Sequence, residues 1–108
     1  MKTGDIILIP FPFAEMNNTK VRPAAVVTVT KDKYKDVIVC AISSVVPAKL
    51  SENEFLIPPQ NINKLRSTSV LKVDRIVTLK RKDVLHHLGK LTTSELKKFK
   101  EVFRKLVQ

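Results

Sequence analysis

The sequence predicts a mainly β fold with one helix: a small curled sheet or open barrel, with a C-terminal amphipathic helix packed on it. Two observations carry this. From Gly4 to Leu79, short runs rich in Val and Ile recur at fairly regular intervals with turn residues between them, the pattern of short strands joined by turns. From Leu91 onward the apolar period changes to steps of three and four, the mark of one helical face.

The elements follow in order. "GDIILIPFPF" (Gly4 to Phe13) is a β-branched and aromatic run closed by prolines, a first strand that ends at a sheet edge or barrel rim. The polar stretch "AEMNNTKV" is a loop. "PAAVVTV" (Pro23 to Val29) and "DVIVCAIS" (Asp36 to Ser43) are strands on either side of the charged turn "TKDKYK", too short and too rich in Val and Ile for helices. "NEFLIPP" (Asn53 to Pro59) is a shorter strand stopped by a proline pair, and "SVLKVDRIVTL" (Ser69 to Leu79) is two strands or one bent strand. In "LTTSELKKFKEVFRKLVQ", Leu96, Phe99, Phe103 and Leu106 form one helical face. Thr92 as N-cap with Glu95 three residues on is a capping box, and Leu91 with Leu96 occupies the two positions of a hydrophobic staple.

A chain of 108 residues, 44% of them hydrophobic, holds one core, so a single domain over residues 1–108 is expected. Twenty Lys and Arg against ten Asp and Glu leave a net charge of +10, which attracts polyanions: nucleic acid or an acidic protein tail. The same lysines also serve plain solubility, so charge alone does not choose a function. Cys40 is the only cysteine, and nothing in the composition points to an oxidising compartment. The apolar stretch after Lys2 is interrupted by Asp5, Pro10 and Pro12 and is far too short to span a bilayer. A cytoplasmic protein without a membrane partner is expected.

The common chemical constellations are missing. With only Gly4 and Gly89 there is no phosphate-cradling glycine loop, and no Cys or His spacing suits zinc. No metal or cofactor is therefore expected. His86 and His87 titrate nearest neutrality, but as neighbours on an extended segment they point to opposite faces and cannot serve one site. Cys40, inside "VIVCAI", reads as a small buried hydrophobe. A more coherent set lies at the strand ends: Arg22 opens the second strand, Ser43 and Ser44 close the third, and Lys72 with Asp74 interrupts a later apolar stretch. Each has an ordinary explanation as a surface charge, a turn residue or an ion-pair partner. If the strands curl together, these positions converge on one rim.

"GDIILIPFPF", "RPAAVV", "VIVCAISS", "SVLKVDRIVTL" and "HLGKLTTSEL", in this order, resemble the MazF/PemK family of toxin endoribonucleases from prokaryotic toxin–antitoxin pairs. The resemblance covers nearly the whole chain. It implies an SH3-like β-barrel with helices and a homodimer whose shared groove accepts single-stranded RNA. It further implies metal-independent cleavage at short sequences to 2′,3′-cyclic phosphate and 5′-hydroxyl ends, and a cognate antitoxin whose acidic tail occupies the groove. The family's catalytic arginine in its Arg-Pro pair corresponds to Arg22, and its hydroxyl at the end of the third strand to Ser43, with Ser44 adjacent. Of an Arg-x-Asp pair found in some members, Asp74 is kept while Lys72 replaces the arginine, a point charge in place of a planar fork. The histidine some members carry in the loop before the Arg-Pro pair is absent here.

On this reading Arg22 stabilises the charge that builds on phosphorus when the ribose 2′-hydroxyl attacks it, Ser43 donates to a non-bridging oxygen, and Asp74 is the base or orients a cation. Lys20 is a phosphate contact by charge and placement. Phe11 and Phe13 are candidates for base stacking, with core packing an equal alternative. The rival is a basic barrel that binds RNA or an acidic protein without cutting either.

Overall fold

The computed structural model describes residues 1–11 and 20–108. Among these residues six strands, all paired antiparallel, form one curled sheet in the order β4-β5-β3-β2-β1-β6, and one α-helix follows β6. The strands are β1 (Asp5–Phe11), β2 (Lys20–Val29), β3 (Val37–Ser43), β4 (Glu54–Ile57), β5 (Ser69–Leu79) and β6 (His86–Lys90), and the helix is α1 (Thr93–Lys105). This is the mainly β half-barrel with a C-terminal helix that the strand pattern predicts. Among the described residues no helix is long and apolar enough to cross a membrane.

Strand alternation divides the apolar residues between two faces. On one face Ile6, Ala25, Cys40, Ile42, Phe55, Ile57, Leu71 and Val73 meet Phe99 and Val102 of α1. On the other, Ile7, Ile9, Ala24, Val26, Val37 and Val39 form a second buried cluster. A 13-residue helix is marginal on its own. Burial of Phe99 and Val102, about 1.5–3 kcal/mol each, supplies what propensity does not. The capping box forms as expected: Thr92 Oγ1 accepts from Glu95 N at 3.1 Å, and Thr92 N donates to Glu95 Oε1 at 2.9 Å. Leu91 and Leu96 of the staple both join the core beneath the helix.

β2 and β6 differ from expectation, and β5 takes one of the two forms that the sequence left open. β2 begins at Lys20, so Arg22 and Pro23 lie inside the strand, paired with Ile9 and Leu8 of β1. Proline is tolerated there because pairing with β3 starts only at Ala24, and an absent donor on that side breaks no ladder bond. β5 is one strand of 11 residues, bent by a bulge: Cys40 faces Ile76 while the next residue, Ala41, faces Lys72, so Val73, Asp74 and Arg75 have no partner on β3, Val73 buried in the core and Asp74 and Arg75 exposed. The segment "HHLGK" forms β6, a strand that the patterning does not suggest. Its Gly89 is required: a Cβ there would stand 2.0 Å from the carbonyl oxygen of Ile62.

Candidate active site

The β2–β3 register sets the site. Ala24 pairs with Ala41, and continuing that antiparallel register by two residues puts Arg22 opposite Ser43. Both line a cleft of about 390 Å³, with Lys72, Arg75, Ile76 and Val77 along its β5 side. Pairing of Arg22 with Ile9 on its other flank holds the guanidinium on rigid backbone in the middle of the sheet. The cleft thus gathers three cationic side chains and one hydroxyl, and no carboxylate is among its described lining residues.

The bulge in β5 shapes the opposite wall. Within its three residues unpaired on β3, Val73 stays buried while Arg75 lines the cleft that Lys72 also lines. Cys40 closes the bulge from beneath, donating its S–H to the carbonyl of Val73 at 3.2 Å. Burial, with the Asp74 carboxylate adding to it, pushes the Cys40 thiol up to about 12, so Cys40 is a neutral packing residue and not a nucleophile.

The other expected residues separate. Asp74 is exposed on the bulge and lies outside the cleft lining. Lys72 is in an ion pair with Glu54, Nζ to Oε2 3.8 Å, while Glu54 Oε1 accepts from Ser51 N at 2.8 Å, so part of the lysine charge is already balanced. Ser44 faces away from Ser43 and lines a different cleft of about 400 Å³ with Leu8, Val21, Pro23, Lys64 and Arg66. Ser43 Oγ accepts from Val45 N at 3.1 Å, which leaves its own proton to donate. Lys20 is exposed at the start of β2, on the same face as Arg22 by alternation but outside the lining. Phe13 and the side chain of Phe11 lie outside the described residues. His87 stands at the sheet edge with Nε2 3.3 Å from Asp5 Oδ2, away from the cleft. Among the described residues no three His, Cys, Asp or Glu side chains group to hold a metal ion.

A family profile described as PemK-like, MazF-like toxin of type II toxin–antitoxin system matches residues 2–107. The chain belongs to that family. No curated protein sequence matches it. Among solved structures, MazF (Form-I) from Deinococcus radiodurans superposes with a TM-score of 0.71 at 19% identity, covering 99% of this chain and 96% of that one. The Mycobacterium tuberculosis toxin MazF-mt6 gives 0.70 at 18% identity, covering 95% of both chains. An endoribonuclease in complex with its cognate antitoxin, from a mycobacterial species, gives 0.70 at 13% identity over 97% of this chain and 92% of the other. At these identities the likeness establishes a shared fold.

Within the MazF-like frame, two participants are not evident from sequence patterning. Arg75 lines the cleft only because of the bulge, and Glu54 reaches Lys72 because Glu54 and Lys72 are register partners across β4–β5. A basic residue directly after the Lys-x-Asp triplet is the one signal that pointed toward Arg75.

Proposed function

We propose that this MazF-like toxin is an endoribonuclease that cuts single-stranded RNA at the Arg22–Ser43 cleft without a metal ion. The observation that carries the reading is the placement of Arg22 and Ser43 on one wall of a cleft whose other wall adds Lys72 and Arg75. Such a pocket suits an anion that acquires more negative charge in the transition state. Its fold is shared with a mycobacterial endoribonuclease solved with its antitoxin.

Cleavage proceeds by attack of the ribose 2′-hydroxyl on the adjacent phosphorus. The 2′-oxygen–phosphorus bond forms as the phosphorus–5′-oxygen bond breaks, leaving a 2′,3′-cyclic phosphate and a 5′-hydroxyl. Arg22, whose forked donors match two phosphate oxygens, stabilises the pentacoordinate dianion and is too weak an acid to act as a base. Ser43 donates to a non-bridging oxygen; one preorganised donor of this kind contributes about 3 kcal/mol to the barrier. With no carboxylate among the described lining residues, the 2′ proton passes to water, and water returns one to the leaving 5′-oxygen. Arg75 and Lys72 hold flanking phosphates, and Lys72 exchanges Glu54 for the RNA as it docks. Lys20 adds a phosphate contact at the mouth of β2.

The same basic cleft suits the acidic segment of a cognate antitoxin, which would inhibit by occupying it. A second copy of the chain completes the groove, covering exposed apolar side chains such as Val21, Val45 and Leu85. Incubating the purified protein with single-stranded RNA in excess chelator tests the reading: discrete fragments that vanish with Arg22→Ala support it. RNA that is bound but left intact favours the non-catalytic barrel.

A further inference from the structure

A second basic surface begins where the cleft ends. The β2–β3 turn carries Lys31, Lys33 and Lys35, and the segment after β5 carries Lys80, Arg81 and Lys82. Register brings them together: Val29 pairs with Val37 and Val37 with Leu79, so both segments leave the sheet at one end. Tyr34, Asp36, Lys80, Arg81 and Lys82 line a shallow depression there. The ion pairs among the described residues, Lys72–Glu54 and His87–Asp5, include none of these six cations.

The turn is built to hold its shape. Asp32 Oδ1 accepts from Thr30 Oγ1 at 2.8 Å, Tyr34 N at 3.1 Å and Lys35 N at 3.2 Å, while Thr30 Oγ1 accepts from Asp36 N at 2.8 Å. The hydrogen bond from Thr30 keeps the Asp32 carboxyl below its ordinary range, so the acid is committed to the turn and the lysines point outward unopposed by it. At its tip Tyr34 is 66% exposed, with Lys33 Nζ 5.3 Å from the ring centre.

We infer that this end of the sheet is an RNA track that extends the cleavage cleft: it grips phosphates beyond the cut site and stacks an unpaired base on Tyr34. The inference rests on the proposed nuclease reading. Two observations carry it. The track continues the cleft along the same strands, since Val77 lines the cleft and Lys80 lies three residues further, about 10 Å along extended chain. An exposed aromatic ring among cations is a composition that binds single strands, by base stacking and phosphate contacts together.

The test uses 2′-O-methyl RNA, in which the attacking hydroxyl is blocked, in a short form that fills only the Arg22 cleft and a longer form extended on both sides. In fluorescence anisotropy, K80Q/R81Q/K82Q should weaken the long form about tenfold or more at low salt and reduce its log–log salt slope by about 2. K31Q/K33Q and Tyr34→Ala should each weaken the long form as well. The short form should bind all these variants as it binds the parent, and a short cleavable RNA should be cut at the parent rate. Unchanged binding of the long form overturns the inference, as does equal weakening of both forms or a loss seen only with the antitoxin's acidic segment. None of those results touches the nuclease reading, which is tested separately by whether the parent cuts the short RNA.

Discussion

Arg22 and Ser43 stand opposite each other across the β2–β3 pair, two residues beyond the last paired positions, Ala24 and Ala41. Each is still paired on its other flank, Arg22 with Ile9 and Ser43 with Val70, and both line the same cleft. Arg22→Ala should lower cleavage about 10³-fold or more while the thermal melt stays that of the parent. Arg22→Lys should recover only a small part of the rate, since an ammonium keeps the charge and loses the fork. Rates measured under saturating RNA check both.

The serines separate by face. Ser43→Ala should reduce kcat about 10²-fold with little change in KM, because the lost donor acts mainly on the transition state. Ser44→Ala should leave kcat where it is, since Ser44 lines the cleft on the other face. Single-turnover kinetics on the two variants distinguishes them directly.

Cys40 gives a pH prediction. Its thiol titrates near 12 in the fold against 9.0 without it, so above pH 9 the unfolded chain loses a proton that the native state keeps. Stability contributed by the neutral thiol is therefore full below about 9 and declines as pH rises from there toward 12. Denaturant melts across that range should show the decline, and Cys40→Ala should flatten it. At neutral pH the native protein should resist thiol reagents that label it rapidly once unfolded.

Gly89 and Thr92 flank the passage from sheet to helix. Gly89→Ala drives a methyl into the Ile62 carbonyl and should cost several times as much as Thr92→Ala, which removes one cap at about 1 kcal/mol. Urea midpoints for the two variants give the ratio.

What the sequence made legible was local. The start of the helix could be placed to a residue because Thr92, Glu95, Leu91 and Leu96 each act within one turn. The strands could be seen because Val and Ile mark them. β6 was hidden because "HHLGK" has neither alternation nor β-branched residues: it is a strand through pairing with β1, a contact made at long range. The β5 bulge was hidden for the same reason, and with it the entry of Arg75 into the cleft and the exposure of Asp74 on the bulge. The Arg-Pro pair and the serine at the end of β3 were visible as strand-end polar residues. Their sharing of one cleft depends on a register that no local pattern states.

The most direct test is the chemistry of the cut ends. RNA cleaved by the purified protein in chelator should yield fragments whose 5′ ends accept phosphate from a kinase without prior phosphatase treatment and whose 3′ ends carry a cyclic phosphate, with no fragments from a folded Arg22→Ala variant. Fragments bearing 5′-phosphates, or equal cutting by that variant, would contradict the Arg22–Ser43 cleft as the place where the phosphodiester is broken.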